Sequence, residues 1–540
     1  MKITFCGAAR TVTGSCHMLS CQGGTILVDC GMRQGADAKG VYGEGAFPFD
    51  PAKIDAVLLT HAHIDHSGLI PLLVKRGFSG RIVCTEATSQ LATIMLPDSA
   101  HIQEQDAEWQ NRKNARAGKP PIEPLYTIRD AQDALQLFYG VSYGETVQLL
   151  PGVRVRFTDA GHLLGSAAIE IWAEDETGKT AKVVFSGDLG RDDRPILKDP
   201  VDVRGADYLV MEGTYGNRNH EISTGQAKET QLANILRTAL ARGGNLVIPS
   251  FAVGRTQELL YYIKRLLQKG LVKGLDNVEV YIDSPLGIEA TKIYERCAVG
   301  YYDEEAMAMA KDGSPFDFPT LRIAQTADES KLINSLSNQK IIISASGMCD
   351  AGRIRHHLKH NLYRADSTIL FVGYQAQGTL GRALLDGVKK VKLFGEDVRV
   401  NATIEQIEGF SGHAGKDELI EWVRDIGEKP RKIFLVHGES DSLDSLGEAI
   451  RSLGYDVMIP SLGEGFDLLA GAPKAADLPQ ENVVEIATKA RGYDIRAQLE
   501  RIAQILERSD QRRSPDMELK LSIMEADIKS LADKWDGIIG

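Results

Sequence analysis

Three histidines and an aspartate fall within six residues of this sequence, at His61, His63, Asp65 and His66. An apolar run of strand length, residues 54–59, precedes this motif, and a helical pattern follows it. Because alternate residues of an extended chain share a side, His61 and His63 can bind one cation, while Asp65 and His66 suit a second. Imidazole and carboxylate are zinc ligands, and two neighbouring metals activate water for hydrolysis. The motif therefore predicts a metal centre on a strand-to-helix loop.

The alternative interpretation of the motif is a polar surface loop. The chain holds only 12 histidines among 540 residues, so chance placement explains the cluster poorly. A composition of 43% hydrophobic and 25% charged residues is typical of a globular protein with two or three domains. No apolar run reaches the roughly 20 residues that cross a bilayer, and the N-terminus reads as a strand, not a signal peptide.

Cysteine content and net charge limit the cellular compartment and the partners to be expected. Seven cysteines without paired CxxC spacing argue against a disulfide framework or a four-cysteine zinc site, so we expect a reducing, cytoplasmic location. The net charge of −12 argues against indiscriminate binding to nucleic acid. It allows a local basic groove, because phosphates respond to charges within a Debye length.

The pattern along the chain predicts an α/β protein with an inserted domain. Residues 1–205 show strands that end in polar clusters, among them Asp29, His162 and Asp188. Residues 206–395 show strands alternating with helices, which predicts a parallel, Rossmann-like sheet. Strands followed by histidine return in residues 396–470, so the middle domain is expected to interrupt the first. No GxGxxG motif supports dinucleotide binding.

A C-terminal extension is predicted for residues 471–540. Ser514 and Pro515 favour a helix start, and apolar residues follow from Met517 to Trp535 at alternating spacings of four and three. Fewer heptads are present than a coiled coil requires. The pattern therefore fits a helical hairpin, a homodimer contact or packing on the body of the protein equally well.

The order of the acids and histidines resembles that of a known superfamily. Four motifs are similar to the metal motifs of the metallo-β-lactamase superfamily: Asp29, His61-x-His63-x-Asp65-His66, His162 and Asp188. Three more resemble the additional motifs of its β-CASP nucleases: Glu212, His413 and His437. The resemblance covers residues 1 to about 467 and implies a metallo-β-lactamase αββα sandwich with an inserted β-CASP domain. Its nearest branch contains the pre-mRNA 3′-end-processing endonuclease and its bacterial and archaeal homologues.

The resemblance also implies a ligand set for two zinc ions, and the same donors tolerate manganese. One ion would be held by His61, His63 and His162, and the other by Asp65, His66 and His437, with Asp188 bridging both. Asp29 would orient the ligands. A histidine at the position of His437 occurs in the RNA-processing members, which favours RNA as the substrate.

The implied chemistry is hydrolysis of a phosphodiester bond. Water activated by the two cations would attack phosphorus in line and leave a 5′-phosphate and a 3′-hydroxyl. His413 would protonate the leaving oxygen, positioned by Glu212, since a carboxylate raises the imidazole pKa and fixes its tautomer. Asp65 and Asp29 complete the predicted catalytic set. A structural salt bridge is the alternative for Glu212 and His413.

Two glycine-containing loops are predicted to bind substrate phosphates. Ser346 and Gly347 follow a buried strand, and we expect their backbone N–H groups at a helix N-terminus, with Arg353 nearby. Arg255 lies in a second strand-to-helix loop. For Arg353, solvated surface charge is an equally good explanation.

The leading hypothesis is a zinc-dependent endoribonuclease for single-stranded RNA, with 5′-exonuclease activity as an additional mode and no membrane partner. Two alternatives are a small-molecule hydrolase and a catalytically silent RNA-binding β-CASP subunit. The first leaves the inserted domain and His413 unexplained. The second should have lost metal ligands, and this sequence has lost none.

Overall fold

Two β-sheets pack face to face in the computed structural model of this chain, as the predicted sandwich requires. The structure describes residues 1–34, 46–175, 177–220, 224–376, 378–407 and 409–468, and the backbone of 484–485. The predicted homodimer contact and almost all of the predicted helical extension lie outside these residues. Within the described ranges, no helix combines the length and apolar character that crossing a membrane demands.

The first sheet has the strand order β22-β1-β2-β3-β4-β5-β6. Its strands are β1 (Lys2–Phe5), β2 (His17–Cys21), β3 (Gly24–Val28), β4 (Ala56–Leu58), β5 (Arg81–Thr85), β6 (Phe138–Val141) and β22 (Gly465–Asp467).

The second sheet has the strand order β21-β20-β11-β10-β9-β8-β7-β23. Its strands are β7 (Thr146–Leu150), β8 (Val153–Asp159), β9 (Ala167–Glu174), β10 (Thr180–Phe185), β11 (Tyr208–Glu212), β20 (Lys432–Val436), β21 (Val457–Met458) and β23 (Val484–Glu485).

The core between the two sheets follows from alternation. Val153, Val155 and Phe157 of β8 are fully buried, while the residues between them are half-buried, which is the period-two pattern predicted for a half-buried strand. Their side chains pack in one cluster with Ile3 and Phe5 of β1. The sheets therefore close on each other through one face of each strand.

Helices cover the outer faces and give the αββα layering. On the first sheet, Ile70 and Leu73 belong to the same apolar cluster as Val57 and Ile82. The helices on this side are α1 (Ile64–Ser67), α2 (Ile70–Lys75), α3 (Glu86–Arg116) and α4 (Ile128–Leu135). Two helices cover the second sheet, and their apolar residues cluster with those of β11 and β20. They are α13 (Lys416–Asp425) and α14 (Ser440–Ser452).

A third, parallel sheet follows in the middle of the chain, with the order β14-β13-β15-β12-β16-β19. Its strands are β12 (Leu246–Pro249), β13 (Glu279–Asp283), β14 (Leu321–Ile323), β15 (Lys340–Ser344), β16 (Thr368–Phe371) and β19 (Thr403–Gln406), and a hairpin of β17 (Lys390–Leu393) and β18 (Glu396–Arg399) precedes β19.

Helices lie on both faces of this sheet, as expected for a Rossmann-like arrangement. Val247 and Ile248, adjacent in β12, belong to different apolar clusters on opposite faces. The helices are α5 (Gly225–Ala241), α6 (Arg255–Gln268), α7 (Pro285–Arg296), α8 (Ala298–Tyr301), α9 (Glu304–Lys311), α10 (Ala327–Ser335), α11 (Ile354–Asn361) and α12 (Leu380–Leu385).

The boundary predicted at residue 395 falls before β19, which pairs with β16, so the third sheet extends past it. Two further details differ from the sequence prediction. The boundary predicted at residue 205 falls between β10 and β11, which pair in parallel, so β11 lies with the first part of the chain. Val484–Glu485, inside the predicted helical extension, forms a short strand against β7. Neither pairing is visible in the sequence, because the partner strand is distant or the segment is very short.

Candidate metal centre

The predicted site residues lie beyond the carboxyl ends of strands of the two packed sheets. Asp29 follows β3 directly, and His162 lies in the loop after β8. Asp188 follows β10, Glu212 is the last residue of β11, and His437 follows β20. Because β10, β11 and β20 run in parallel, their carboxyl ends meet at one edge and bring these side chains together.

The histidine motif spans a strand end and a helical turn. His61 and His63 lie between β4 and α1, whereas Asp65 and His66 lie within α1. The first helical turn therefore begins inside the motif, and the helix predicted after it corresponds to α2. Ser67 Oγ donates to the carbonyl oxygens of Ala62 and His63 and tightens this turn. The turn separates the two pairs of ligands that the sequence predicted.

Gly31 makes this arrangement possible. The loop after β3 passes so close to α1 that a Cβ atom at Gly31 would lie 1.7 Å from the carbonyl oxygen of Asp65. Any side chain at this position would displace the histidine motif.

A first group of ligand atoms converges around His63. Its Nδ1 lies 3.0 Å from Nε2 of His61 and 3.3 Å from Nε2 of His162. Asp188 Oδ2 lies 3.6 Å from both of those Nε2 atoms. The four residues form a group whose ligand atoms all lie within 4.8 Å of one another.

A second group converges on the other side of Asp188. Nε2 of His66 and Nε2 of His437 face each other at 3.2 Å, and Asp65 Oδ2 lies 3.7 Å from His437 Nε2. Asp188 Oδ1 lies 3.3 Å from His66 Nε2 and 3.4 Å from His437 Nδ1. The two carboxylate oxygens of Asp188 thus face different ligand groups.

These donors fit a metal pair. Asp188 Oδ1 and His162 Nδ1 are buried and find no hydrogen-bond partner within the described residues, although buried polar atoms are normally paired. Facing imidazole nitrogens and a carboxylate that receives no hydrogen bond on one oxygen are the donor chemistry of a zinc or manganese site.

Burial keeps the three imidazoles of the first ligand group in the neutral form that binds metal. It lowers the pKa of His61 and of His162 well below the usual range, and that of His63 to about 4. These rings are therefore neutral at pH 7, as metal ligands must be. Burial raises the pKa of Asp188, but the charges of His437 and His66 outweigh it and keep the carboxylate ionised.

Asp29 holds the motif in place. Its Oδ1 accepts a hydrogen bond from the backbone N–H of Thr60 at 2.8 Å, and its Oδ2 accepts from Ser15 Oγ and Thr60 Oγ1 at 3.0 Å each. His66 Nδ1 lies 2.7 Å from Asp29 Oδ2. Because Nδ1 donates to this carboxylate, His66 presents Nε2 to the second ligand group.

Glu212 and His413 form a pair beside the first ligand group. Both Glu212 oxygens lie within hydrogen-bond distance of His413 Nδ1, at 3.1 and 3.2 Å. Burial lowers the pKa of His413, but the charge and hydrogen bond of Glu212 outweigh it and raise this pKa to about 9. The rings of His413 and His162 lie 4.6 Å apart, so the pair borders the ligands directly.

The predicted phosphate loops are only partly arranged as expected. Helix α11 begins at Ile354, so Ser346 and Gly347 lie well before its N-terminus. The backbone N–H of Ser346 donates to the carbonyl oxygen of Ala351 at 3.3 Å. The expectation that Ser346 and Gly347 open the helix is therefore wrong, because several residues of turn intervene.

The two predicted arginines are engaged within the protein. Arg353 Nη1 pairs with the fully buried Asp283 at 2.7 Å and donates to the carbonyl oxygen of Ala324. Arg255 pairs with Glu258 one turn later in α6. Both guanidinium groups already have a carboxylate partner, so a role in phosphate binding stays a prediction for them.

Sequence reasoning missed three residues that shape the site. Thr60 anchors Asp29 and also lies 3.1 Å from His61 Nδ1, and Thr214 Oγ1 lies 3.2 Å from His437 Nδ1. Both adjoin predicted motifs, which was the available signal. Arg194 donates to the carbonyl oxygen of His162 and pairs with Glu258, and nothing in the sequence indicated it.

Three family profiles match consecutive parts of this chain. The profile of the metallo-beta-lactamase superfamily covers residues 10–234, and that of the Beta-Casp domain covers residues 256–384. A third, described as the Zn-dependent metallo-hydrolase RNA specificity domain, covers residues 397–460.

Curated proteins are similar over most of the chain. Ribonuclease TTHA0252 of Thermus thermophilus is 37% identical over 466 residues, which are 86% of this chain and 99% of that protein. Transcription termination factor FttA of Methanocaldococcus jannaschii is 30% identical over 461 residues, or 84% of this chain and 69% of that protein. A crystal structure of a protein of unknown function from Enterococcus faecalis V583 matches with a TM-score of 0.50 at 13% identity, over 86% of this chain and 99% of that one, and shows a similar fold.

Proposed function

Because this chain belongs to the β-CASP family of the metallo-β-lactamase superfamily, we propose that it is a metal-dependent ribonuclease that hydrolyses phosphodiester bonds of single-stranded RNA. One observation carries the proposal. The two oxygens of Asp188 face two separate groups of ligand atoms, and the Glu212–His413 pair borders one of them. A binding protein has no need of both features together.

The proposed cofactor is a pair of zinc ions. His61, His63 and His162 would hold one ion, Asp65, His66 and His437 the other, and Asp188 would bridge them. When bound, such a metal pair lowers the pKa of water and neutralises charge that develops on a phosphoryl oxygen. The donor set accepts manganese as well.

His413 is proposed to supply the proton that the leaving group needs. Since its Nδ1 donates to Glu212, its Nε2 is the nitrogen that presents a proton to substrate. Attack of water on phosphorus breaks the bond to the ribose 3′-oxygen, and the proton from His413 converts that oxygen to a hydroxyl. The products are a 3′-hydroxyl and a 5′-phosphate, and the proton lost by water restores His413.

Three carboxylates hold the reacting groups in place. Glu212 is 1% exposed and accepts from the backbone N–H of Leu189, so its carboxylate is fixed next to Asp188. Burial raises the pKa of Asp65, but the neighbouring imidazoles of His437 and His66 outweigh it and lower this pKa, so the carboxylate stays ionised. Asp29 fixes His66 as described above. These contacts position the proposed reacting groups before substrate arrives.

Endonucleolytic cutting is part of the proposal, with 5′-exonucleolytic trimming as the second mode. Internal cuts would release two fragments from an RNA labelled at either end, whereas trimming from the 5′ end releases labelled mononucleotides only from the 5′-labelled RNA. Mapping the products of both RNAs separates these modes.

Metal analysis beside a labelled-RNA cleavage assay tests the function. We expect the wild-type protein to contain metal and cleave, and His63→Ala to lose both while keeping its circular dichroism. His101→Ala, an exposed histidine of α3, is the matched control and should change neither. Cleavage by His63→Ala at the wild-type rate would overturn the proposal.

A further inference from the structure

Two large aromatic side chains are exposed at the same edge of the third sheet. Phe251 follows β12 and is 46% exposed, and Tyr374 follows β16 and is 45% exposed. Because β12 and β16 are parallel neighbours, their carboxyl ends meet at this edge. Aromatic rings of this size contribute most to binding energy when they are buried, so two exposed rings at one edge indicate a binding surface.

The loops that carry the two rings contact a shared residue. Gln375 Nε2 donates to the carbonyl oxygen of Gly347 at 3.0 Å. Gly347 in turn lies against Phe251, since a Cβ atom at Gly347 would lie 3.0 Å from the Phe251 ring. Phe251 and Tyr374 therefore belong to one continuous surface.

The surface continues to the proposed proton donor. The guanidinium of Arg218 lies over the Tyr374 ring at 5.6 Å from its centroid, and over the Tyr215 ring at 4.4 Å. The Tyr215 ring lies 6.0 Å from that of His413. We call Phe251, Tyr374, Arg218 and Tyr215 the aromatic track; it starts beside His413 and ends at Phe251.

The charge of Arg218 is available to a ligand. Its side chain is exposed, and none of the carboxylates that the structure describes forms an ion pair with it. A guanidinium placed between two aromatic rings suits a chain that alternates flat bases with phosphates, because bases stack on rings and arginine pairs with phosphate.

We propose that the aromatic track binds unpaired nucleobases next to the scissile phosphate. Tyr374 and Phe251 are the stacking residues, and Arg218 binds a phosphate on the side of Tyr374 that faces the cleaved bond. This inference rests on the proposed ribonuclease function. Such a track favours single strands over duplexes, because the bases of a duplex are already stacked and turned inward.

The test compares variants of the metal-loaded full-length protein on a short single-stranded RNA. Tyr374→Ala should raise KM roughly 5- to 100-fold, the range reported for loss of one stacked base. Tyr374→Phe keeps the ring and should restore most of the affinity. Phe251→Ala should also raise KM. Trp109→Ala, an exposed aromatic residue of α3, is the matched control and should change nothing.

Two substrates separate base stacking from a structural effect. An RNA with an abasic nucleotide beside the cleaved bond should bind the wild type weakly, and Tyr374→Ala should then add little further loss. A nitrophenyl phosphodiester has no base, so Tyr374→Ala should cleave it at the wild-type rate.

Failure of the inference is distinguishable from failure of the ribonuclease assignment. If the wild type cleaves RNA but Tyr374→Ala and Phe251→Ala keep its KM, the aromatic track does not bind bases, and a protein partner becomes its occupant. Equal loss of nitrophenyl-ester cleavage in Tyr374→Ala would also overturn the inference. If the wild type cleaves no RNA, the ribonuclease function itself is wrong.

Discussion

The carboxylate of Glu212 lies 3.1 Å from Nδ1 of His413, although 201 residues separate them in the chain. Glu212 ends a strand of the second sheet, and His413 lies just before α13, after the entire inserted domain. His413, from the last part of the chain, therefore completes a site whose other residues come mostly from the first part.

Replacing Glu212 by Gln should slow RNA cleavage about 10²- to 10⁴-fold, the usual contribution of a positioned acid–base group. The amide carries no charge to hold the proton on His413. A nitrophenyl phosphodiester should be cleaved almost normally, since nitrophenolate leaves without protonation. We expect metal content to be unchanged. Equal loss on both substrates would show that Glu212 supports the structure and not proton transfer.

Asp29→Asn should weaken metal binding about 10- to 100-fold, as removal of a residue that orients a ligand usually does. Asparagine can still accept from the N–H of Thr60, but its amide group would face His66 Nδ1 in place of an acceptor. Competition with a chelator measures the affinity. Asp106→Asn, on the exposed face of α3, is the control. Unchanged affinity would contradict the orienting role of Asp29.

A buried ion-pair cluster on the second sheet should contribute several kcal/mol to the free energy of unfolding. Glu170 is 1% exposed and pairs with Lys182 at 2.6 Å and with Arg156 at 2.8 Å. Glu170→Gln removes the buried charge that pairs with Lys182 and Arg156, so the free energy of unfolding should fall by about 3–5 kcal/mol. Urea denaturation at pH 7 measures this loss, and the exposed Glu123→Gln is the control.

The ion pairs of Glu170 also predict that stability depends on pH. Burial raises the pKa of Glu170, but the hydrogen bonds and charges of Arg156 and Lys182 outweigh it and lower the pKa below 4.5. A lowered pKa stabilises the folded state above pH 4.5, and this stability is lost as pH falls through the folded-state pKa. The difference between wild type and Glu170→Gln should therefore shrink below pH 4.5. A constant difference would contradict the pairing.

Local pattern predicted much of the site. Alternation in an extended segment placed His61 beside His63, and strand ends marked Asp29, His162 and Asp188. The parallel third sheet followed from strands that alternate with helices, and the resemblance supplied the grouping of ligands from distant motifs. Short-range periodicity cannot supply that grouping, because it says nothing about which strand ends meet.

Long-range partners account for what the sequence did not predict. Arg353 reads as a free cation in a basic run, yet it pairs with Asp283, 70 residues earlier. The start of α11 at Ile354 depends on a turn in which Ser346 bonds to Ala351, so the glycine pattern predicted the helix too early. The Arg255–Glu258 pair was visible as an i,i+3 spacing in a helix.

The chemical nature of the RNA ends tests the central claim most directly. Single-stranded RNA is incubated with three preparations of the protein: metal-loaded, stripped of metal by a chelator, and stripped and then reloaded with zinc. We predict 5′-phosphate and 3′-hydroxyl ends that vanish on chelation and return with zinc, because the proposed mechanism uses metal-activated water at the ligand groups that share Asp188. Cyclic 2′,3′-phosphate ends, or cleavage that survives chelation, would contradict the account.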